Sequence, residues 1–345
     1  MKKILHILTS NSYSGAENVV ISLINGLKDK FDFTYVSGDG DIRQILYRND
    51  IEFIPIDKMK ISEVRRVIKL YKPDIIHAHD FRASVVCAFA NVKSPIISHL
   101  HNNSPWLKRY SFYSFIYLFA SFRFNEILLV SKSIVEEYVF SGFIKDKAKV
   151  ISNPIHTNGI VEKAKSHGQI DAFDIIFVGR LTAAKNPLRF IEIMNDLIKV
   201  FPTAKACIVG NGELEKSCRY KIEQLRLSGH ITLTGFLENP YQVMANSKLL
   251  CMTSDWEGFG LVAVEAFSLG LPVVASPVGG LVDIINNSCE KLCRTNLDYV
   301  LELKKLLSDV VYYEDRSKGA LLRARELDNF SCYCQEIEKI YKNIY

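Results

Sequence analysis

Short runs of aliphatic and β-branched residues alternate with longer stretches in which apolar side chains recur every three or four positions, almost from end to end of the chain. The short runs suit strands buried on both faces, and the longer spacing gives a helix one apolar stripe. The alternation therefore predicts parallel sheets with helices on both sides. In the first half the predicted strands are Lys3 to Leu8, Phe33 to Val36, Phe53 to Ile56, Ile75 to His77, Ile96 to Leu100, Ile127 to Val130 and Lys149 to Ile151. The pattern fades over Asn153 to Asp171, which gathers Pro154, Gly159, His167, Gly168 and Gln169, as an interdomain connection would. It resumes with Asp174 to Val178, Ala206 to Val209, Ile231 to Thr234, Leu249 to Met252 and Pro272 to Ala275. The expected organisation is α/β throughout. A doubly wound domain over 1–155, a linker over 156–171 and a second doubly wound domain over 172–325 precede an amphipathic helix in 326–345, free to pack back on the first domain.

Each strand of the second half is followed by a polar or glycine-rich loop: Gly179-Arg180, Gly210-Asn211-Gly212, Gly235-Phe236, Asp255 to Gly260, and Ser276 to Gly280. In an open parallel sheet such loops gather at the carboxyl ends of the strands, where ligands bind. The densest chemistry lies in Ser254 to Ala266, a strand end leading through a loop into a helix. Gly258 and Gly260 permit close backbone approach, and the N–H groups that open the helix, from Phe259 through Leu261 and Val262, suit phosphate or sugar oxygens. Glu265 follows Leu261 by about one turn, so its carboxylate can turn back to accept two hydrogen bonds from a ribose diol. Glu257 lies in the loop, nearer to whatever extends beyond the phosphates. A plain surface loop with a capping glutamate is the alternative for a lone Glu-Gly-x-Gly, and the second glutamate at fixed spacing weighs against it. Arg180 and Lys185 stand near the helix start marked by Pro187, where two cations can hold a diphosphate. On a surface without that context they would be solvated side chains.

Composition narrows the picture in a few places. The 345 residues, 48% of them hydrophobic, are enough for two cores. The balance of 43 Lys and Arg against 38 Asp and Glu leaves +5, which suits an anionic membrane surface or phosphorylated substrates and does not signal nucleic acid. Eight cysteines lack a C-x-x-C spacing; the pairs Cys289 with Cys293 and Cys332 with Cys334 indicate neither a zinc site nor a disulfide framework, so a reducing cytoplasm is expected. The apolar start from Ile4 to Leu8 is too short for a signal peptide. Tyr110 to Phe124, rich in Phe and Tyr and flanked by Lys108, Arg109 and Arg123, falls short of the ~20 apolar residues that span a bilayer. It reads either as a helix lying on the inner membrane surface or as an ordinary buried helix.

Taken in order, Gly179-Arg180-Leu181 with Lys185-Asn186, Val209-Gly210-Asn211-Gly212-Glu213, Gly235-Phe236, Glu257-Gly258-Phe259-Gly260 to Glu265-Ala266, and Gly270-Leu271-Pro272-Val273-Val274-Ala275 resemble the signature of the family-four retaining glycosyltransferases of GT-B fold. The resemblance implies two Rossmann-like domains facing across a donor cleft, with no metal and no cofactor, the nucleotide sugar being a substrate. It places Arg180 and Lys185 on the donor diphosphate, Glu265 on the ribose hydroxyls, and Glu257 with the loop amides on the transferred sugar, with Phe236 and Leu237 flanking the base. In the first half, Asp74 to Asp80 resembles a family strand ending in a His pair, and Ile96 to Asn102 the strand whose last histidine meets the donor sugar, a role carried to His101. His77, His79 and His99 are expected as strand-end or core histidines satisfied by backbone. The loop Ser10 to Glu17 has Ser14-Gly15 where the family usually has two glycines, so Gly15 alone matches, and Asn153-Pro154 stands where Asn-Gly is commoner. The implied activity is transfer of a hexose-type sugar, most often from uridine diphosphate in this family, to a saccharide or lipid-linked saccharide in cell-surface polysaccharide synthesis. A catalytically silent nucleotide-sugar-binding subunit and an epimerase on the same fold are the alternatives.

Overall fold

The structure, a computed structural model, describes residues 1–90, 93–102, 104–165, 171–285 and 290–344. The chain forms two units, Met1–Pro154 with Asn329–Tyr345, and Ile155–Asp328. In unit 1 the strands β1 (Lys3–Ile7), β2 (Asp32–Gly38), β3 (Glu52–Ile56), β4 (Ile75–His79), β5 (Ile96–Leu100), β6 (Glu126–Leu129) and β7 (Ala148–Val150) form one seven-stranded sheet in the order β3-β2-β1-β4-β5-β6-β7. Every pairing is parallel. The strand order reverses at β1 and β4, whose central residues are buried on both faces, as helices packed on either side require.

Unit 2 repeats the plan with β8 (Phe173–Val178), β9 (Ala206–Val209), β10 (Ile231–Gly235), β11 (Ser247–Met252), β12 (Val273–Ala275) and β13 (Glu290–Leu292), ordered β10-β9-β8-β11-β12-β13 and parallel throughout. One side of this sheet buries Phe177, Phe190, Met194, Leu197, Ile208 and Tyr299 in a single core. The final strand, β13, is not among the predicted ones.

Two sequence expectations about connections are corrected. The stretch 156–171 carries the helix Thr157–Ala164, packed in unit 2 against the helices Tyr241–Ala245 and Leu261–Ser268. Residues 166–170 of that stretch, with His167, Gly168 and Gln169, lie outside the described residues, as does Cys289. The helix Val310–Leu327 runs through the expected boundary at 325 and packs on Leu261–Ser268, so unit 2 ends at Asp328. The following helix, Phe330–Asn343, belongs to unit 1 and buries Tyr333, Cys334, Ile337, Ile340 and Tyr341. Its crossing with the helix Gly15–Leu27 is close enough that a Cβ on Gly26 would stand 2.7 Å from Cys334 Sγ. Lys2 Nζ donates to the carbonyls of Tyr341 at 3.0 Å and Ile344 at 3.3 Å, placing a cation at the negative end of that helix. The seven described cysteines are free thiols.

Candidate donor site and the strand-end histidines

Three glycine loops of unit 2 are laced together by their backbones. Gly179 N–H donates to Val209 O at 3.0 Å, Gly210 N–H to Gly235 O at 2.8 Å, and Leu181 N–H to Asn211 O at 2.7 Å. Gly210 and Gly212 adopt φ of 139° and 154°, and a Cβ on either would stand 2.0 Å from Gly179 O or 2.5 Å from Leu181 O. No side chain fits at those two positions. Asn211 and Gly212 stay exposed at the turn, Leu237 is half-buried, and Phe236 keeps 45% of its surface in solvent, a flat apolar face at the strand end. Arg180 is exposed, and its guanidinium has no ion pair or hydrogen bond among the described residues.

The acidic loop is held the same way. Gly279, at φ 50°, packs so tightly that a Cβ would lie 1.8 Å from Glu257 O, and one on Gly280 would lie 2.4 Å from Gly258 O. Gly260, at φ 97°, is the residue before the helix Leu261–Ser268, and Phe259 anchors the loop by its buried ring. The backbone N–H groups from Gly258 to Val262 donate no hydrogen bond among the described residues, which leaves this helix start with donors for a ligand oxygen. Glu257 is buried and forms an ion pair with Lys185, and Ser254 Oγ donates to the same carboxylate oxygen at 3.3 Å.

Lys185 is placed by the turn that starts the helix Pro187–Val200. Asn186 takes φ 47° and accepts from Arg189 N–H at 3.2 Å, and Pro187 occupies the first helical position. Thr253 Oγ1 donates to the Asn186 carbonyl at 2.9 Å, and Asp255 N–H to Ala184 O at 2.9 Å, tying this turn to the acidic loop. The Lys185 stem also lies against Gly179, with Cγ 3.5 Å from where a Cβ would be. The structure thus brings Gly179, Lys185, Glu257 and the free amides into one neighbourhood and sets Arg180 beside it.

Glu265 is half-buried on the helix Leu261–Ser268. Burial pushes its carboxyl above the ordinary 4.5, against the opposing influence of Tyr241 Oη, which donates at 3.0 Å, and of nearby Lys163. Neither partner was visible in the sequence. Tyr241 sits on a five-residue helix, and Lys163 lies in the stretch expected to be a linker.

In unit 1, Gly15 opens the helix Gly15–Leu27 and is exposed, with Ser14 before it hydrogen-bonded to buried Glu17. His101 follows β5 and is 6% exposed; its backbone N–H donates to Asp80 Oδ1 at 2.9 Å. Burial holds its imidazole below the ordinary value, with Asp80 acting the other way. His77, His79 and His99 are buried, as core histidines would be, but their rings bond to other side chains and not to the backbone. Two overlapping sets, His6 with His77 and His79, and His79 with His99 and His101, bring ring nitrogens within 4.8 Å of one another, a spacing that could hold a metal ion.

The family model for glycosyl transferases group 1 matches residues 161–318, and the model for glycosyltransferase family 4 matches residues 13–158. Together the two matches span residues 13–318, and the chain is a glycosyltransferase. It is 27% identical over 237 residues to an uncharacterised glycosyltransferase of Methanocaldococcus jannaschii, covering 62% of this chain and 58% of the archaeal one. It is 23% identical over 349 residues, 95% of each chain, to a Campylobacter jejuni enzyme named GalNAc-alpha-(1->4)-GalNAc-alpha-(1->3)-diNAcBac-PP-undecaprenol alpha-1,4-N-acetyl-D-galactosaminyltransferase. The crystal structure of Anabaena HepE in complex with UDP and glucose superposes with a TM-score of 0.87 at 21% identity, covering 100% of both chains. The fold of this glycosyltransferase is GT-B.

Because burial raises the Glu265 carboxyl, it takes up a proton at higher pH than an ordinary carboxylate, and the ionised form is the stronger acceptor for a diol. Nucleotide affinity is therefore expected to fall as pH drops through that raised range. Glu265→Gln should bind roughly tenfold or more weakly and lose the pH dependence, as charge-assisted hydrogen bonds of ~1.5–3 kcal/mol imply. Calorimetric titration across pH checks both; an unchanged pH profile in the variant would remove Glu265 from the nucleotide.

Proposed function

We propose that this glycosyltransferase moves a hexose-type sugar from a UDP-sugar to a saccharide or lipid-linked saccharide during surface polysaccharide synthesis, with retention of anomeric configuration and without a metal. The observation that carries the donor assignment is the juxtaposition in unit 2 of two cations and a helix start with unused amides. Arg180 is unpaired, Lys185 lies against Gly179, and the amides from Gly258 to Val262 have no partner among the described residues. Arg180, Lys185 and those amides receive the diphosphate, Glu265 the ribose, and Phe236 with Leu237 the base. Glu257, oriented by Lys185 and Ser254, accepts from hydroxyls of the sugar. The HepE complex with UDP and glucose supports the choice of carrier.

In the reaction the bond between the anomeric carbon and the phosphate oxygen breaks, and the acceptor oxygen bonds to that carbon on the same face. The acceptor proton passes to the departing phosphate oxygen. Each donor aimed at the developing phosphate charge contributes ~3 kcal/mol to the transition state. Glu257 is engaged by Lys185 and Ser254, which suits it to positioning and not to nucleophilic attack. Unit 1 is assigned the acceptor, with Gly15 and His101 in its strand-end loops. The undecaprenol in the Campylobacter enzyme's name supports a lipid-linked acceptor.

Unit 1 also offers a membrane surface. The helix Phe112–Ser121 buries Ser114, Tyr117 and Ala120 but exposes Phe112 and Phe119, and Tyr110, Phe122 and Phe143 nearby are exposed too. Arg109 and Arg123 are exposed beside them. No helix among the described residues is long and apolar enough to cross a membrane. These aromatic and cationic groups suit peripheral docking on an anionic leaflet from the cytoplasmic side.

Among a panel of nucleotide sugars, UDP-sugars should raise the thermal midpoint most, in line with the stabilisation a native-state ligand brings. Proton NMR of the transfer product should show the donor's own anomeric configuration. An inverted product would refute retention, and a flat thermal response to every nucleotide sugar would refute the donor assignment. In flotation assays the protein should rise with anionic liposomes and lose that behaviour when Phe112, Phe119 and Phe122 are changed together to serine. A wild-type protein that stays wholly in the soluble fraction would rule out docking.

A further inference from the structure

Five of the eight histidines share one buried face of unit 1. Register pairs His6 with His77 and His79 with His99, and side chains alternate along a strand, so His6, His77, His79, His99 and His101 all project to the same side. Tyr341, from the last helix of the chain, enters the same layer.

Their contacts join them end to end. His99 Nδ1 lies 3.2 Å from His77 Nε2, and His77 Nδ1 lies 2.7 Å from Tyr341 Oη. Tyr341 Oη is 3.5 Å from His6 Nε2, His6 Nδ1 is 2.9 Å from His79 Nε2, and His79 Nδ1 is 2.9 Å from His101 Nε2. Burial lowers the proton affinity of all five imidazoles, so each is neutral, with one N–H and one lone pair. A chain of such groups, each giving one hydrogen bond and taking one, leaves one nitrogen over at each end. The two ring nitrogens without a partner are His99 Nε2 and His101 Nδ1, the two ends.

The ends also fix the direction of the chain. Asn153 neighbours His101, and its Oδ1 is a second buried atom without a hydrogen-bond partner. With protons running toward His101, the N–H at His101 Nδ1 faces that acceptor, the two atoms each without a partner among the described residues, and a bare lone pair is left at His99. Run the other way, the chain buries an unpaired N–H at His99 and turns a lone pair of His101 toward an oxygen. Unpaired buried donors are the costlier kind. All five histidines are then Nδ1–H tautomers. A metal ion would need ring lone pairs converging on one point, whereas here each ring nitrogen inside the chain is directed at the next ring or at Tyr341.

We propose that this imidazole chain positions His101 as the Nδ1–H tautomer, and that this N–H together with Asn153 Oδ1 receives one hydroxyl of a saccharide. The hydroxyl oxygen accepts from His101 Nδ1–H, and its proton is donated to Asn153 Oδ1, which pairs both unpartnered atoms at once. His6, His77, His79, His99 and Tyr341 are positioning residues; Asn153 is the added contact. The saccharide part rests on the proposed transfer activity, while the tautomer pattern stands apart from it.

The test is long-range proton–nitrogen NMR on full-length protein labelled with 15N-histidine, near neutral pH. Five neutral Nδ1–H imidazoles are expected. Tyr341→Phe keeps the ring and removes the middle link, so His101 should relax to a mixture of tautomers and the KM for saccharide should rise about fivefold to tenfold. Asn153→Ala should raise the same KM to a similar degree and leave the tautomers unchanged. Nε2–H tautomers or imidazolium signals assigned in the wild type to any of these five, as distinct from the other three histidines, would overturn the proposal. So would a stoichiometric transition metal whose removal by chelator moves the histidine resonances, or a single unchanged His101 tautomer in a folded Tyr341→Phe protein. If Asn153→Ala left KM unaltered, the hydroxyl contact would be wrong. Absence of transfer by the wild type would count against the activity, with the spectrum still judging the chain.

Discussion

Backbone pressed on backbone, with no room for a Cβ, is the constraint on which the donor half depends. Gly279 sits against the Glu257 carbonyl, Gly280 against that of Gly258, Gly210 against that of Gly179, and Gly212 against that of Leu181. A methyl group at any of these glycines could not be accommodated without moving main chain, so only glycine lets the loops pack this closely. They hold the Lys185 turn, the acidic loop and the free helix-start amides as a preformed set, so little ordering would remain to be done if a diphosphate bound there, as proposed.

Within that frame the Lys185–Glu257 pair is better understood as poised charge than as a source of stability. Both side chains are largely withdrawn from water, at 21% and 10% exposure, and the desolvation of two such ions offsets most of their attraction. An arriving phosphate would offer Lys185 a second anion, and a sugar hydroxyl would offer Glu257 a donor. Arg180, exposed and without a hydrogen bond or ion pair among the described residues, has no competing partner there to leave. Unit 1 handles polarity differently. There a row of neutral imidazoles lies in the core, hydrogen-bonded to one another and bridged in the middle by a tyrosine from the last helix, so that residues near both ends of the sequence meet in one buried layer.

The strand pattern was legible because parallel strands buried on both faces leave near-continuous apolar runs. β13 escaped notice because Glu290-Lys291-Leu292 is short and mostly polar. The helix Thr157–Ala164 was hidden by Gly159 and by the proline before it, both of which read as loop. Glycine spacing exposed the donor loops, and two glutamates at fixed distance gave Glu257 and Glu265. The partners of those acids were not legible, since Lys185 is 72 positions from Glu257 and Tyr241 is brought to Glu265 only by packing. The alternation of His77 with His79 and His99 with His101 was in plain view, but their mutual bonding depends on strand register, and the membership of His6 and Tyr341 on the docking of both chain ends.

The central claim is that Lys185 works on the donor phosphates and does not merely neutralise Glu257. It is tested most directly by the steady-state turnover of Lys185→Ala with the nucleotide sugar that stabilises the wild type. Turnover should fall about a hundredfold or more at a temperature where the variant is folded, while the loss of Glu257's partner lowers the thermal midpoint. Near-normal turnover in that variant would contradict the account.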